Sequence, residues 1–270
     1  MSLKHFGDWS IVYEKAIRDD GTLYFPKRLN KEFLDKVRRT MGSYIFANQY
    51  QNEVIPEDDK RFRKEWFKYF IEVPKPVHRF AFCDPAISTE HNADFTALVV
   101  VAIDHEGKWY IEAANRYKYT PTEIIDLLFR AHAQFNLSGI GIEDVAFQKA
   151  LLYMVHNEMA KRNVILPVHG VKPDHEKSKN ARILGLVPRF EWGMIHLAPN
   201  LFDLESELLQ FPRGAHDDLV DALAYIERIS FRPEKERVNY ENIQPNHPDY
   251  EKYYIQSLAK RRNEESGDGY

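Results

Sequence analysis

The residues able to do chemistry are acids placed where apolar runs end. Asp84 closes the run Phe80-Ala81-Phe82-Cys83 and is followed by Pro85, which stops the strand there. Glu143 and Asp144 follow the short apolar run from Gly139 to Ile142. Asp217, Asp218 and Asp221 open the segment HDDLVDA, where Asp218 and Asp221 lie one helical turn apart and Asp217 is rotated away from them. Strand ends in α/β sheets are where ligands are presented. Three or four converging carboxylates repel one another unless cations lie between them, and hard oxygen donors select Mg²⁺ or Mn²⁺ over zinc. Two such ions about 3.5–4 Å apart activate a water and stabilise the leaving oxygen of a phosphodiester. The chemistry implied is metal-assisted hydrolysis or transfer at phosphate.

Each of these acids also has an ordinary role. Asp217 and Asp218 suit a helix N-terminus electrostatically, and Asp before Pro is a common turn residue. Their joint occurrence at three element ends favours a site. His216 is kept as an accessory candidate because it adjoins Asp217, whereas His169 and His175 stand alone. Cys83, inside an apolar run, reads as core rather than nucleophile.

The elements that must position these groups follow from hydrophobic period. A helix is expected from Asn30, as cap, to Thr40, with Phe33, Leu34 and Val37 on one face. Strands are expected at 80–83, 96–103 and 108–113, with a turn at Asp104–Gly107, making a meander. Thr120, Pro121 and Glu123 form a capping box that starts a helix carrying Ile124, Leu127, Leu128 and Ala131 on its apolar face. A strand at 139–142, a helix at 147–162 and a strand at 164–168 imply a parallel part to the sheet. A small hairpin is expected over Phe190–Leu197, a helix at 201–209 and a last helix at 217–229. The fold class is α/β with a mixed sheet.

Composition bounds the answer further. The chain has 270 residues with 44% hydrophobic and 29% charged residues, enough for a sizeable core. A net charge of -4 excludes coating nucleic acid by bulk electrostatics, so any such contact is local. One cysteine excludes an internal disulfide and a cysteine zinc site, and fits a reducing compartment. No apolar run approaches the roughly 18 residues of a membrane span, and MSLKHFGDWS lacks the apolar core of a signal peptide. Met1-Ser2-Leu3 is set aside, and the remainder is expected to begin mid-protein. Residues 1–75 read as a linker or accessory segment, 76–232 as the main domain, and 233–270 as a charged tail.

The succession AFCDPA, DFTALVVVAID, GIGIEDVAFQKAL and FPRGAHDDLVDALAY resembles the C-terminal nuclease domain of the large terminase subunit of tailed bacteriophages, an RNase H-like fold. The stretch LYFPKRLNKEFLDKVRRTMGSYIFANQYQNEV is similar to that family's junction between ATPase and nuclease domains. The resemblance implies catalytic roles for Asp84, Glu143 and Asp218, with metal held by Asp84, Glu143, Asp217 and Asp218. Of Glu143 and Asp144, strand alternation allows one to face the site, and Glu143 is taken. Lys177, Lys179 and Arg182, otherwise a solvated basic loop, match a segment that holds the DNA backbone. Asp144, His216 and Asp221 remain accessory candidates.

What the resemblance implies is a Mg²⁺- or Mn²⁺-dependent endonuclease cutting double-stranded DNA with little base preference during genome packaging in the host cytoplasm. The implied partners are DNA, a portal protein, a small terminase subunit and an ATPase domain of the same subunit. No G-x-x-x-x-G-K-[ST] loop occurs, so this chain carries no such phosphate cradle. The rivals are an RNase H-like transposase, integrase or junction resolvase, and a non-catalytic docking module in which the acids are structural.

Overall fold

The computed structural model describes residues 14–53, 61–85, 95–143, 146–172 and 178–234. Its frame is a seven-stranded mixed sheet: β1 (Lys68–Tyr69), β2 (Val77–Asp84), β3 (Thr96–Asp104), β4 (Trp109–Tyr117), β5 (Gly139–Glu143), β6 (Val168–Val171) and β7 (Ile195–Leu197), in spatial order β1-β7-β4-β3-β2-β5-β6. The meander β2-β3-β4 is antiparallel. β5 joins β2, and β6 joins β5, in parallel. β7 lies parallel to both β4 and β1.

Alternation along the strands divides the core in two. Phe80 and Phe82 of β2, with Ala97, Val99 and Val101 of β3, face α6 (Phe202–Gln210) and α7 (Asp218–Tyr225). Ala81, Cys83, Leu98, Val100, Ile140 and Ile142 face α2 (Pro121–Phe135) and α3 (Ala146–Arg162). Phe80 and Phe82 are fully buried, each worth about 1.5–3 kcal/mol of transfer free energy. Opposite them in β5 stand Gly139 and Gly141, where a Cβ would lie 3.0 Å from the Phe80 ring and 2.8 Å from the Phe82 ring. The glycines make room for the aromatics, and the same phase carries Asp84 and Glu143 onto the α7 face.

The helices start where capping chemistry allows. Thr120 and Glu123 close the capping box, with Pro121 opening α2. Asn30 caps α1 (Lys31–Tyr50), which runs past the expected end at Thr40 to Tyr50 through a break at Gly42 (φ 79°). There Ser43 donates its backbone N–H to Glu191 at 2.9 Å. The chain before Pro74 also enters the sheet: Phe62 and Phe67 bury in the α7-side core, and β1 pairs with β7.

Three expected elements differ. The strand expected at 164–168 is β6 at Val168–Val171, because pairing with β5 begins only where Val168 meets Ile140, while Ile165 is 86% exposed. The hairpin expected over Phe190–Leu197 is the end of a short helix, α5 (Val187–Glu191), followed by β7. Pro188 sits in the first turn of α5, Phe190 is buried, and Gly193 at φ 64° turns the chain into the parallel strand. The last helix stops at Tyr225 and tightens into a 3₁₀ turn over Ile226–Arg228. Among the described residues no helix is long and apolar enough to cross a membrane.

Candidate active site

β2 and β5 are paired in parallel through Cys83 and Ile142, so the next residues, Asp84 and Glu143, leave the sheet side by side on the face that α7 crosses. Asp84 is half-buried. Its carboxyl is pushed up to about 7, first by burial, then by the negative charges of Glu143 and Asp221, with Asp218 adding and Lys179 opposing. Acids from a neighbouring strand and from α7 thus act on this one strand-end carboxyl.

Glu143 is held from α7. Its Oε1 accepts a hydrogen bond from the Tyr225 hydroxyl at 2.6 Å. The Tyr225 ring stacks on Phe82, with centroids 4.5 Å apart and planes 2° from parallel. The Arg182 guanidinium lies 4.0 Å from the same ring. Burial, then the bond to Glu143, raises the phenol pKa, so the hydroxyl stays a donor.

Asp221, one turn into α7, is buried and takes both its oxygens to Arg182, from Nε at 2.8 Å and Nη2 at 2.9 Å. Burial raises its pKa while Arg182 works against the rise. This bidentate pair commits Arg182 to the protein interior. Lys179 opens α4 (Lys179–Leu184), which Ser178 caps. Its ammonium lies 2.7 Å from Asp217 Oδ1 and 3.8 Å from Asp221 Oδ2. Burial disfavours that charge, yet the hydrogen bond to Asp217 and the field of Asp221 leave its pKa raised. His216 Nδ1 is 3.8 Å from Asp218 Oδ2, and its ring meets Phe95 edge-on at 5.3 Å. Asp144 and Lys177 lie outside the described residues.

Sequence reasoning passed over two residues that build this arrangement. One is Tyr225, four residues beyond Asp221. The other is Glu207 of α6, whose side chain is 3% exposed. Its Oε1 meets Arg116 Nη1 at 2.8 Å, and its Oε2 accepts from the backbone N–H groups of Leu219 at 2.8 Å and Val220 at 3.2 Å. Glu207 therefore caps α7 from outside, and Asp217, at the cap position, makes no capping bond of its own. Burial pushes the Glu207 carboxyl up to about 7, against the pull of Val220, Arg116 and Leu219. The signal was legible: Leu204, Glu207, Leu208 and Phe211 share one helical stripe, and an acid inside an apolar stripe needs partners.

The donor set suits a hard divalent cation. Asp84, Glu143, Asp217 and Asp218 supply carboxylate oxygens only, and Asp84 lies in the negative field of Glu143, Asp221 and Asp218, which a cation would relieve. Among the described residues no three acids, histidines or cysteines are already drawn together as a ligand group.

No curated protein matches the chain. Among solved structures, the large terminase of a thermophilic bacteriophage superposes with a TM-score of 0.52 at 13% identity, covering 73% of this chain and 50% of that one. This chain thus spans about half the length of that protein. The P22 large terminase nuclease domain gives a TM-score of 0.47 at 16% identity, covering 62% of this chain and 89% of that one. The Mn-soaked human cytomegalovirus terminase nuclease domain gives 0.44 at 13% identity, covering 64% and 94%. Residues 81–227, more than half of the chain and nearly the whole span from β2 through α7, match the family described as the terminase RNaseH-like domain. The chain belongs to that family and carries its RNase H-like nuclease fold.

Proposed function

We propose that this chain is a divalent-metal-dependent endonuclease that cuts double-stranded DNA with little base preference, making the initiating and terminating cuts of viral genome packaging. The observation that carries the reading is the placement of Asp84 and Glu143 at the ends of adjacent parallel strands beneath the helix that begins at Asp218. Mg²⁺ or Mn²⁺, when bound, supplies Lewis acidity at the scissile phosphate. Asp84, in the field of Glu143, Asp221 and Asp218, would be the principal carboxylate holding the ions. Glu143 completes one side, held in orientation by Tyr225. Asp218, with Asp217, completes the other. Glu207 holds the helix end that carries these two, and Arg182 neutralises Asp221 so that this buried acid does not compete for the ions.

Under this reading the substrate is DNA held by local cations, among them Lys179. An ATPase domain of the same subunit, a portal protein and a small terminase subunit are its working partners in the host cytoplasm. The test is Asp84→Asn. The variant should lose Mn²⁺-dependent nicking of supercoiled plasmid by at least about a hundredfold, in the range of rate lost with one electrostatic catalytic group, while melting near the wild-type temperature. Nicking at the wild-type rate by this variant refutes the assignment.

A further inference from the structure

Among the described residues, two cations face the carboxylates from α4, and they are fixed to different degrees. Arg182 has a side chain 12% exposed, gives two N–H groups to Asp221 and lies against the Tyr225 ring. Lys179 is 41% exposed, sits in the first turn of a six-residue helix, and makes one close contact, to Asp217 at 2.7 Å. Asp217 is available for that contact because Glu207 does its capping work. Asp84 and Asp218 also act on the ammonium or feel its field. The Asp217 side of the carboxylate group therefore already holds a positive charge belonging to the protein, whereas on the Asp84–Glu143 side the structure places the neutral Tyr225 hydroxyl against Glu143.

Resting on the nuclease reading, we infer that Lys179 is a displaceable counter-cation: without DNA its ammonium holds the Asp217 side of the cluster against a second divalent ion, and an arriving backbone phosphate draws it away. A lysine ammonium is a compact charge on a flexible four-carbon stem, so it exchanges a carboxylate for a phosphate without rebuilding the fold. The exchange leaves Asp217 open and takes a positive charge away from Asp218 just as the phosphate adds negative charge, and both changes favour a second cation. Free protein then holds one ion well and the second poorly, and the complete cutting centre assembles only on DNA.

The test is calorimetric titration of Mn²⁺ into the DNA-free full chain, wild type beside Lys179→Met and Lys179→Gln. Each variant is checked for a wild-type-like melting transition, and two substitutions guard against one that fails to fold. A unit charge about 5 Å from a divalent ion in a water-exposed site opposes its binding by about tenfold. The second binding event should therefore tighten by about that factor in both variants while the first is unchanged, and adding Asp217→Asn should abolish the gain. Unchanged or weaker second-site binding in the Lys179 variants overturns the inference. The nuclease reading survives that result if Asp84→Asn still removes the first event, and falls with it if wild-type binding proves independent of Asp84.

Discussion

The hydroxyl of Tyr225 donates to Glu143 Oε1 at 2.6 Å, joining the last turn of α7 to the end of β5 across 82 positions of sequence. The same ring lies flat on Phe82, two residues before Asp84. One aromatic side chain thereby references both strand-end acids to the helix that carries Asp218. The acids belong to three separate segments: the parallel register of β2 and β5 sets Asp84 beside Glu143, and the Tyr225 ring ties that strand pair to α7.

Tyr225→Phe should preserve the stacking and remove only the donor. Because Glu143 keeps access to water, the stability loss should be modest, about 0.5–1.5 kcal/mol. Cleavage at saturating Mn²⁺ should fall by about tenfold or more through loss of orientation, with plasmid affinity unchanged. Measuring the rate and the binding separately checks this; a fall in affinity with an intact rate would place Tyr225 in the DNA interface instead.

The acids make metal-free stability depend on pH with a defined sign. Asp84 and Glu207 are both pushed up to about 7, above their ordinary values of 3.8 and 4.5. The folded state holds these protons more tightly than the unfolded chain, so their contribution is fully present below about pH 4 and is lost as pH rises through about 7. Stability of the metal-free protein should fall by about 3–4 kcal/mol for each of the two groups across that window. Mn²⁺ affinity should run the other way, rising with pH up to about 7 as the proton on Asp84 ceases to compete, then levelling. Melting curves at several pH values, with and without Mn²⁺, test both trends.

Glu207→Ala should be severely destabilising, by about 3–5 kcal/mol, because it leaves Arg116 and two backbone N–H groups of α7 without their acceptor in a buried place. Glu207→Gln retains one acceptor oxygen and should cost less, yet it weakens the hold on the start of α7. A folded Gln variant should show reduced Mn²⁺ affinity, read by calorimetry. Wild-type metal binding in that variant would confine Glu207 to stability alone.

The meander, the capping box at Thr120 and the alternation that buries Phe80 and Phe82 were legible because each is a local pattern of period two or a short-range hydrogen bond. Candidate acids were legible for the same reason, since a carboxylate straight after an apolar run marks a strand end. The strand at Val168–Val171 and the parallel β7 were not, because a partner strand chose their limits. Nor could the sequence tell that Arg182 is spent on Asp221 while Lys179 takes Asp217.

By itself the sequence determined which residue types stand at the ends of its strands and helices, and which faces of those elements are apolar. Only the tertiary structure decided which acids become neighbours, which cation each receives, and that Glu207 frees Asp217 from capping. The physical reason is range: hydrophobic period and capping act over a few residues, whereas the distance from Asp84 to Glu143 or to Asp218 depends on strand order, parallel register and the seating of α7 on the sheet.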